Sequence, residues 1–408
     1  MVPLAGDPLN GSAMARPIYM DYHATTPVDP RVLEAMLPFF NEKFGNAASR
    51  NHPFGWEAEA SVEEAREQVA RVFGARAKEL TFTAGASESN NLALKGVLDF
   101  HRDKGNHVVT CATEHRSVID TCRSLERKGV ARVTVLPVDR HGKVDPQAVD
   151  EAITPETLLV SIMFANNEIG TIHPIAEIGK IAKRRGVLFH CDATQAVGKI
   201  PVDVEPMGID LLSLSAHKIY GPKGVGALFV RSKGPRVRLA PVVEGGGQER
   251  GLRSGTVNVA GVVGLGRACE IASKVMSEEA SRLTTLRDRL AKTLTSELDR
   301  VTLNGHPTDR LPGNLNLSFA FVEAESLLMA LNREIALSSG SACSSATLEP
   351  SYVLKALGQG DEIARSSIRF GLGRFTTAEE VDTVAARVLA EVRRLRGISV
   401  EYAMASAG

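Results

Sequence analysis

Apolar positions change period along the chain. Over residues 57–73, Val62, Ala65, Val69 and Val72 recur at helical spacing, and Gly74 follows as a stop. The pattern then alternates. Short β-rich runs fall at 79–83, 107–111, 132–137, 158–164, 187–191, 211–215 and 225–230, and helical stretches such as 89–100 and 175–185 separate most of them. Seven such runs alternating with helices predict an α/β fold, with a mainly parallel seven-stranded sheet covered on both faces. The last run follows the tight Gly221-Pro222-Lys223-Gly224 turn. That turn is too short for a crossover helix, so this strand is expected to be antiparallel.

The period shifts again near residue 260. A long helical stretch over 260–298 leads into a smaller α+β region with strands expected at 315–319, 336–339 and 368–371. The capping signal Thr376-Thr377-Ala378-Glu379 opens a last helix. Val381, Val384, Val388, Val392 and Leu395 share one face of it, and Gly397 ends it. The expected organisation is a disordered leader over 1–15, a large unit over 31–269, and a small unit made from 16–30 and 270–408. A site is expected between the two units.

Composition narrows the function classes. The 408 residues carry 48 basic and 48 acidic side chains. That balance argues against nucleic-acid binding, which needs a basic excess. No apolar run approaches the roughly 18 residues that span a bilayer. The first 15 residues hold neither an apolar core nor a single Lys before Arg16, so they do not read as a signal peptide. Cys111, Cys122, Cys191, Cys269 and Cys343 are odd in number, widely spaced and without a CxxC. This argues against a disulfide framework and a zinc site, and for a reducing, cytoplasmic setting. Cys111 and His115 have a metal-like spacing, but nothing near them completes a ligand set.

In an open α/β sheet, ligands bind beyond the carboxyl ends of the strands. Four predicted strand ends deliver polar groups there: His115, Asn167, Asp192 with Gln195, and Ser215 with His217 and Lys218. A lysine at a strand end is partly desolvated, which favours a Schiff-base nucleophile. Pyridoxal phosphate needs such a lysine and a carboxylate for its pyridine nitrogen, for which Asp192 is the candidate. Taken alone, Lys218 reads more simply as a surface lysine and Asp192 as a helix cap. In Thr83-Ala84-Gly85-Ala86-Ser87-Glu88-Ser89 a strand becomes a helix, and Ala86 and Ser87 would offer N–H groups and a hydroxyl to a phosphate. An ordinary capped helix has the same pattern. Cys343 sits among small residues, Ser339-Gly340-Ser341-Ala342-Cys343-Ser344-Ser345-Ala346, which suit a mobile loop. An unperturbed thiol is only a few per cent thiolate at pH 7, so its activation must come from a group nearby in space.

Seven segments, taken together, resemble the cysteine desulfurases. They are Asp21-Tyr22-His23-Ala24-Thr25-Thr26-Pro27, the Thr83–Ser89 turn, Asn166-Asn167-Glu168-Ile169-Gly170, Asp192-Ala193-Thr194-Gln195, Ser215-Ala216-His217-Lys218-Ile219-Tyr220-Gly221-Pro222-Lys223-Gly224, Arg253-Ser254-Gly255-Thr256 and the Cys343 loop. The likeness is to the IscS/NifS branch of the class V, fold-type I pyridoxal-phosphate enzymes. It implies pyridoxal 5′-phosphate held by Lys218 as a Schiff base. His115 would stack on the ring and assist proton transfer, Asp192 would pair with the pyridinium nitrogen, and Gln195 and Asn167 would lie near the phenolic oxygen. Ala86, Ser87, Ser215 and His217 would hold the phosphate, with Thr256 reaching in from a second subunit of a homodimer. Arg369, Asn46 and Asn167 would bind the substrate, L-cysteine.

The implied reaction yields L-alanine and a persulfide on Cys343. No resident metal is implied. Cys343 would instead pass sulfur to an acceptor such as an iron–sulfur scaffold or a tRNA-thiolation protein, where it would contact a cluster. Two departures stand out: Ala47 follows Asn46 where the family often has proline, and Cys191 precedes Asp192. The stretch after Gly397 is shorter than the tail with which some relatives dock a scaffold, so the docking mode stays open. A selenocysteine lyase or a class V aminotransferase would keep Lys218 and Asp192 without needing Cys343. A non-catalytic scaffold would keep only the fold.

Overall fold

The computed structural model describes residues 16–339 and 350–406, so Cys343 and its loop lie outside the described residues. The first strand, β1 (Ile18–Tyr19), stands apart from the main sheet. That sheet is built from β2 (Leu80–Thr83), β3 (His107–Cys111), β4 (Arg132–Leu136), β5 (Thr157–Ser161), β6 (Leu188–Asp192), β7 (Leu211–Ser215) and β8 (Gly226–Val230). Their spatial order is β2-β8-β7-β6-β5-β3-β4. The five strands from β7 to β4 run parallel, and β8 is antiparallel to both β7 and β2, as the short turn before it requires.

Side chains alternate across this sheet. Val109, Val160, Leu212 and Phe229 join the core on one face, and Val108, Leu159, Leu211 and Leu228 join the core on the other. Sheet strands buried on both faces read as continuous apolar runs, and this made them visible in the sequence. The helix Val259–Glu297 leaves the large core through Leu265, Ala268 and Ile271 and enters a second core through Leu286, Leu290 and Leu294. There it meets β9 (Val301–Leu303), β10 (Asn314–Phe319), β11 (Ile335–Ala336), β12 (Ser367–Gly371) and the helix Ala378–Gly397. β12, β10 and β9 form one antiparallel sheet. β11 pairs in parallel with β1, bringing the N-terminal segment to the small core.

Two expectations are corrected. The run at 336–339 pairs only at its start: past Ala336 the chain makes a single bridge, where Arg369 N donates to Ser338 O. The last helix is capped by Thr377 with Glu380, one residue later than the sequence signal, because the Thr376 hydroxyl is taken by Gly373 N. A further helix, Val400–Ser406, follows it without a sequence signal. Among the described residues no helix is long and apolar enough to cross a membrane.

Candidate active site

The carboxyl ends of β3, β5, β6 and β7 open on one cavity of about 760 Å³. After β7, a single 3-10 turn over Ala216–Lys218 turns His217 and Lys218 into its wall. Lys218 Nζ donates to the carbonyls of His23 at 2.6 Å and Ala24 at 2.7 Å. Burial, aided by the Lys218, Lys223 and Lys199 charges, pulls His217 down to about 4, so its ring is neutral at pH 7. Asp192 closes β6 as a buried carboxylate, its Oδ1 accepting from Thr194 N at 3.0 Å and its Oδ2 from Asn90 Nδ2 at 2.8 Å.

His115 is the N-cap of the helix Arg116–Arg127. Its Nδ1 accepts from Ser117 N at 3.2 Å, which places an N–H on Nε2. The Asn167 carbonyl accepts from Arg369 Nη1 at 2.9 Å. Arg369, on β12, is only 2 % exposed, and its Nη2 pairs with Asp21 Oδ1 at 2.7 Å. The small core therefore supplies a guanidinium to a cavity that the strand ends of the main sheet share with His23, Ala24 and Thr25 of the N-terminal segment and with Tyr352.

The helix Ala86–Phe100 begins at the cavity with no side chain capping it. Its first amides and dipole are thus available to an anion. Gly85 precedes it at φ +151°, a region that favours glycine. Gly226 packs against this turn so closely that a Cβ there would sit 2.5 Å from Leu214 O and 2.7 Å from Gly85 Cα. Ser87, Ser215 and His217 line the same end.

These residues fit pyridoxal phosphate: a lysine for the aldehyde, a buried carboxylate for the ring nitrogen, and an uncapped helix start with hydroxyls for the phosphate. Of the expected residues, Ala86, Ser87, His115, Asn167, Asp192, Gln195, Ser215, His217, Lys218 and Arg369 line the one cavity. Asn46 and Thr256 do not line it and are exposed, with Asn46 Oδ1 accepting from Ala48 N. The four cysteines of the described residues are buried free thiols, and burial holds Cys191 and Cys111 well above the ordinary thiol range. No group of residues that could hold a metal is present among the described residues.

Sequence reasoning gave no role to Asn90, Glu168, Lys199 or Tyr352. Asn90 carried one signal: it is a polar residue on the buried stripe continued by Leu94 and Val97. Glu168 and Tyr352 line the cavity beside Arg369, and burial pushes the Glu168 carboxyl up to about 7.

A family model described as aminotransferase class-V matches residues 18–384. The cysteine desulfurase IscS of Anaeromyxobacter dehalogenans is 60 % identical over 396 residues, covering 97 % of each chain. A solved NifS-like protein superposes with a TM-score of 0.86 at 39 % identity, over 93 % of this chain and 100 % of that one. SspA in complex with cysteine superposes with a TM-score of 0.78 at 37 % identity, over 88 % of this chain and 100 % of that one. Likeness at this level over nearly the whole length, joined to the cavity just described, makes the chain a member of the class-V aminotransferase family and, within it, of the cysteine desulfurases.

Proposed function

We propose that this protein is a pyridoxal-phosphate-dependent cysteine desulfurase that converts L-cysteine to L-alanine and takes the sulfur as a persulfide on Cys343. The observation that carries the reading is the convergence of Lys218, Asp192, His115, Arg369 and an uncapped helix start on one cavity. When bound, the cofactor supplies an electron sink for the substrate α-carbon. Lys218 binds it and moves the α-proton, and the Asp192 carboxylate keeps the ring nitrogen protonated. His115 carries a second proton, and Arg369 holds the substrate carboxylate. The Cys343 thiolate attacks the substrate sulfur. An S–S bond forms, the Cβ–S bond breaks, and its electron pair takes up a proton to give the alanine methyl group.

Residues 31–269 then form the cofactor-binding unit, and 16–30 with 270–408 form the unit that brings Cys343. The exposure of Thr256 suits a homodimer in which the partner subunit's Thr256 completes the phosphate site. Asn46 is assigned to the substrate end of the assembled site. The persulfide passes in the cytoplasm to an iron–sulfur scaffold or to a tRNA-thiolation protein.

The test is to incubate wild type and Cys343→Ser with L-cysteine and a reducing thiol, and to quantify alanine and sulfide. Equimolar products from wild type and neither from the variant are expected. Equal activity in both would turn the assignment to a lyase or an aminotransferase on the same fold.

A further inference from the structure

Lys199 has no part in the site as drawn so far. A small cavity of about 30 Å³ lies behind the main one, and Lys199 lines it. His23 and Lys218 line both cavities and so form the wall between them, whereas Lys199 lines only the rear one. Lys199 therefore acts on the site through other groups.

The first of these is Gln195. Lys199 Nζ donates to Gln195 Oε1 at 2.8 Å. An ammonium only donates, so the Gln195 atom facing it must be the oxygen. Nε2 is then turned to the other side, where it donates to His23 O at 3.0 Å, the same carbonyl that Lys218 engages. His23 alone would not fix this choice. Its Nδ1 lies 3.2 Å from Gln195 Oε1 and its Nε2 lies 3.2 Å from Gly313 O, and in a neutral ring only one nitrogen donates. The tautomer that serves Gly313 leaves Nδ1 an acceptor, better matched by a flipped amide.

The second is Lys218 itself. Burial, then the Lys218 charge, then that of Arg369, bring Lys199 down to about 7. Tyr22 and His23 of the N-terminal segment, Tyr220 after β7, Glu279 of the long helix and Arg374 after β12 also face the rear cavity. Glu279, the carboxylate there, is engaged by Arg374. Among the described residues no carboxylate pairs with Lys199. On its other side Lys218 shares the main cavity with Asp192, His115, His217, Lys223 and Arg369.

We propose that Lys199 is a positioning residue that locks the Gln195 amide as a donor toward the main cavity and, by its charge, favours the unprotonated form of the nitrogen at Lys218. The proposal rests on the pyridoxal-phosphate reading above. Its test is a pH titration of the absorbance of the cofactor bound at Lys218, in wild type, Lys199→Met and Lys199→Arg. Removing a nearby cation should raise the spectral midpoint of Lys199→Met by about one pH unit. Loss of the locked donor should weaken cofactor binding to the apo form by about tenfold. Lys199→Arg keeps a cation and a donor at every pH and should titrate at or below wild type.

A Lys199→Met midpoint equal to that of wild type overturns the proposal, and so, independently, does a Lys199→Arg midpoint above it. A wild type that develops no cofactor absorbance overturns the cofactor reading itself, and this proposal with it.

Discussion

Asn90 Nδ2 donates to Asp192 Oδ2 at 2.8 Å and also to Ser117 Oγ at 2.9 Å, and Ser117 in turn holds His115 Nδ1. One amide on the helix Ala86–Phe100 thus ties the carboxylate at the cavity to the histidine beside it. Asn90→Asp would set two carboxylates at hydrogen-bond distance, and like charges that close share a proton. Asp192 would then compete with its neighbour for that proton. The expected outcome is cofactor affinity lower by on the order of tenfold, with the loss largest toward acid pH, where the pair keeps its shared proton and Asp192 is least available as a carboxylate, measured by titrating the apo form with pyridoxal phosphate. Asn90→Leu removes the donor without adding charge. It should weaken binding by a similar factor with no such pH dependence.

Glu168 makes stability depend on pH. Burial pushes its carboxyl from the ordinary 4.5 up to about 7, opposed by the Ser351 hydroxyl and the Arg369 charge. Between those values the native state binds more protons than the unfolded chain, so the stability this group contributes is full below pH 4.5 and is lost as pH rises through 7. Glu168→Gln removes that slope. Relative to wild type the variant should gain about 3 kcal/mol between pH 4.5 and pH 7.5, read from urea unfolding at the two pH values. A constant difference between the two proteins across that window would show that the carboxyl titrates normally.

The sequence made the strand ends legible because the rule that places ligands there needs only order along the chain. Lys218, Asp192 and His115 were found that way. Asn90, Lys199 and Glu168 were not, because their meaning comes from partners far off in sequence. Asn90 meets Asp192 across 102 positions, and Lys199 matters through a cavity wall shared by His23 and Lys218. The β1–β11 pair, joining Ile18 to Ile335, has the same limit: two-residue strands leave no periodic trace. The start of the last helix was displaced by one residue because the Thr376 hydroxyl is already taken by Gly373 N. The family resemblance implicates Asn46 and Thr256, yet neither lines the cavity in a single chain.

Gly226 offers a steric test of the anion end. A methyl group there meets Leu214 O and the Gly85 backbone, neither of which is the end of a flexible side chain. Gly226→Ala must therefore push the Gly85 turn away from β8. The expected cost is about 1–3 kcal/mol of stability. Phosphate-bearing pyridoxal should lose more affinity than pyridoxal itself, because the displaced turn carries the first amides of the helix Ala86–Phe100. Equal losses for the two ligands, measured on the folded variant, would remove that helix start from the phosphate site.

Arg369 invites a test that separates binding from scaffolding. Its guanidinium is buried, paired with Asp21 at 2.7 Å and bonded to the Asn167 carbonyl at 2.9 Å. Truncating one partner of a buried pair is destabilising by about 3–5 kcal/mol, so Arg369→Ala would confuse substrate loss with unfolding. Arg369→Lys keeps the charge and loses the planar fork that grips a carboxylate through two N–H groups. With L-cysteine, the apparent dissociation constant read from the cofactor spectrum should rise by about 10- to 100-fold, or roughly 1.4–2.8 kcal/mol. With cysteamine, which has the thiol and the amine but no carboxylate, wild type and variant should bind alike. If the variant loses both ligands equally, Arg369 supports the cavity wall through Asp21 and Asn167, and the carboxylate must be held elsewhere.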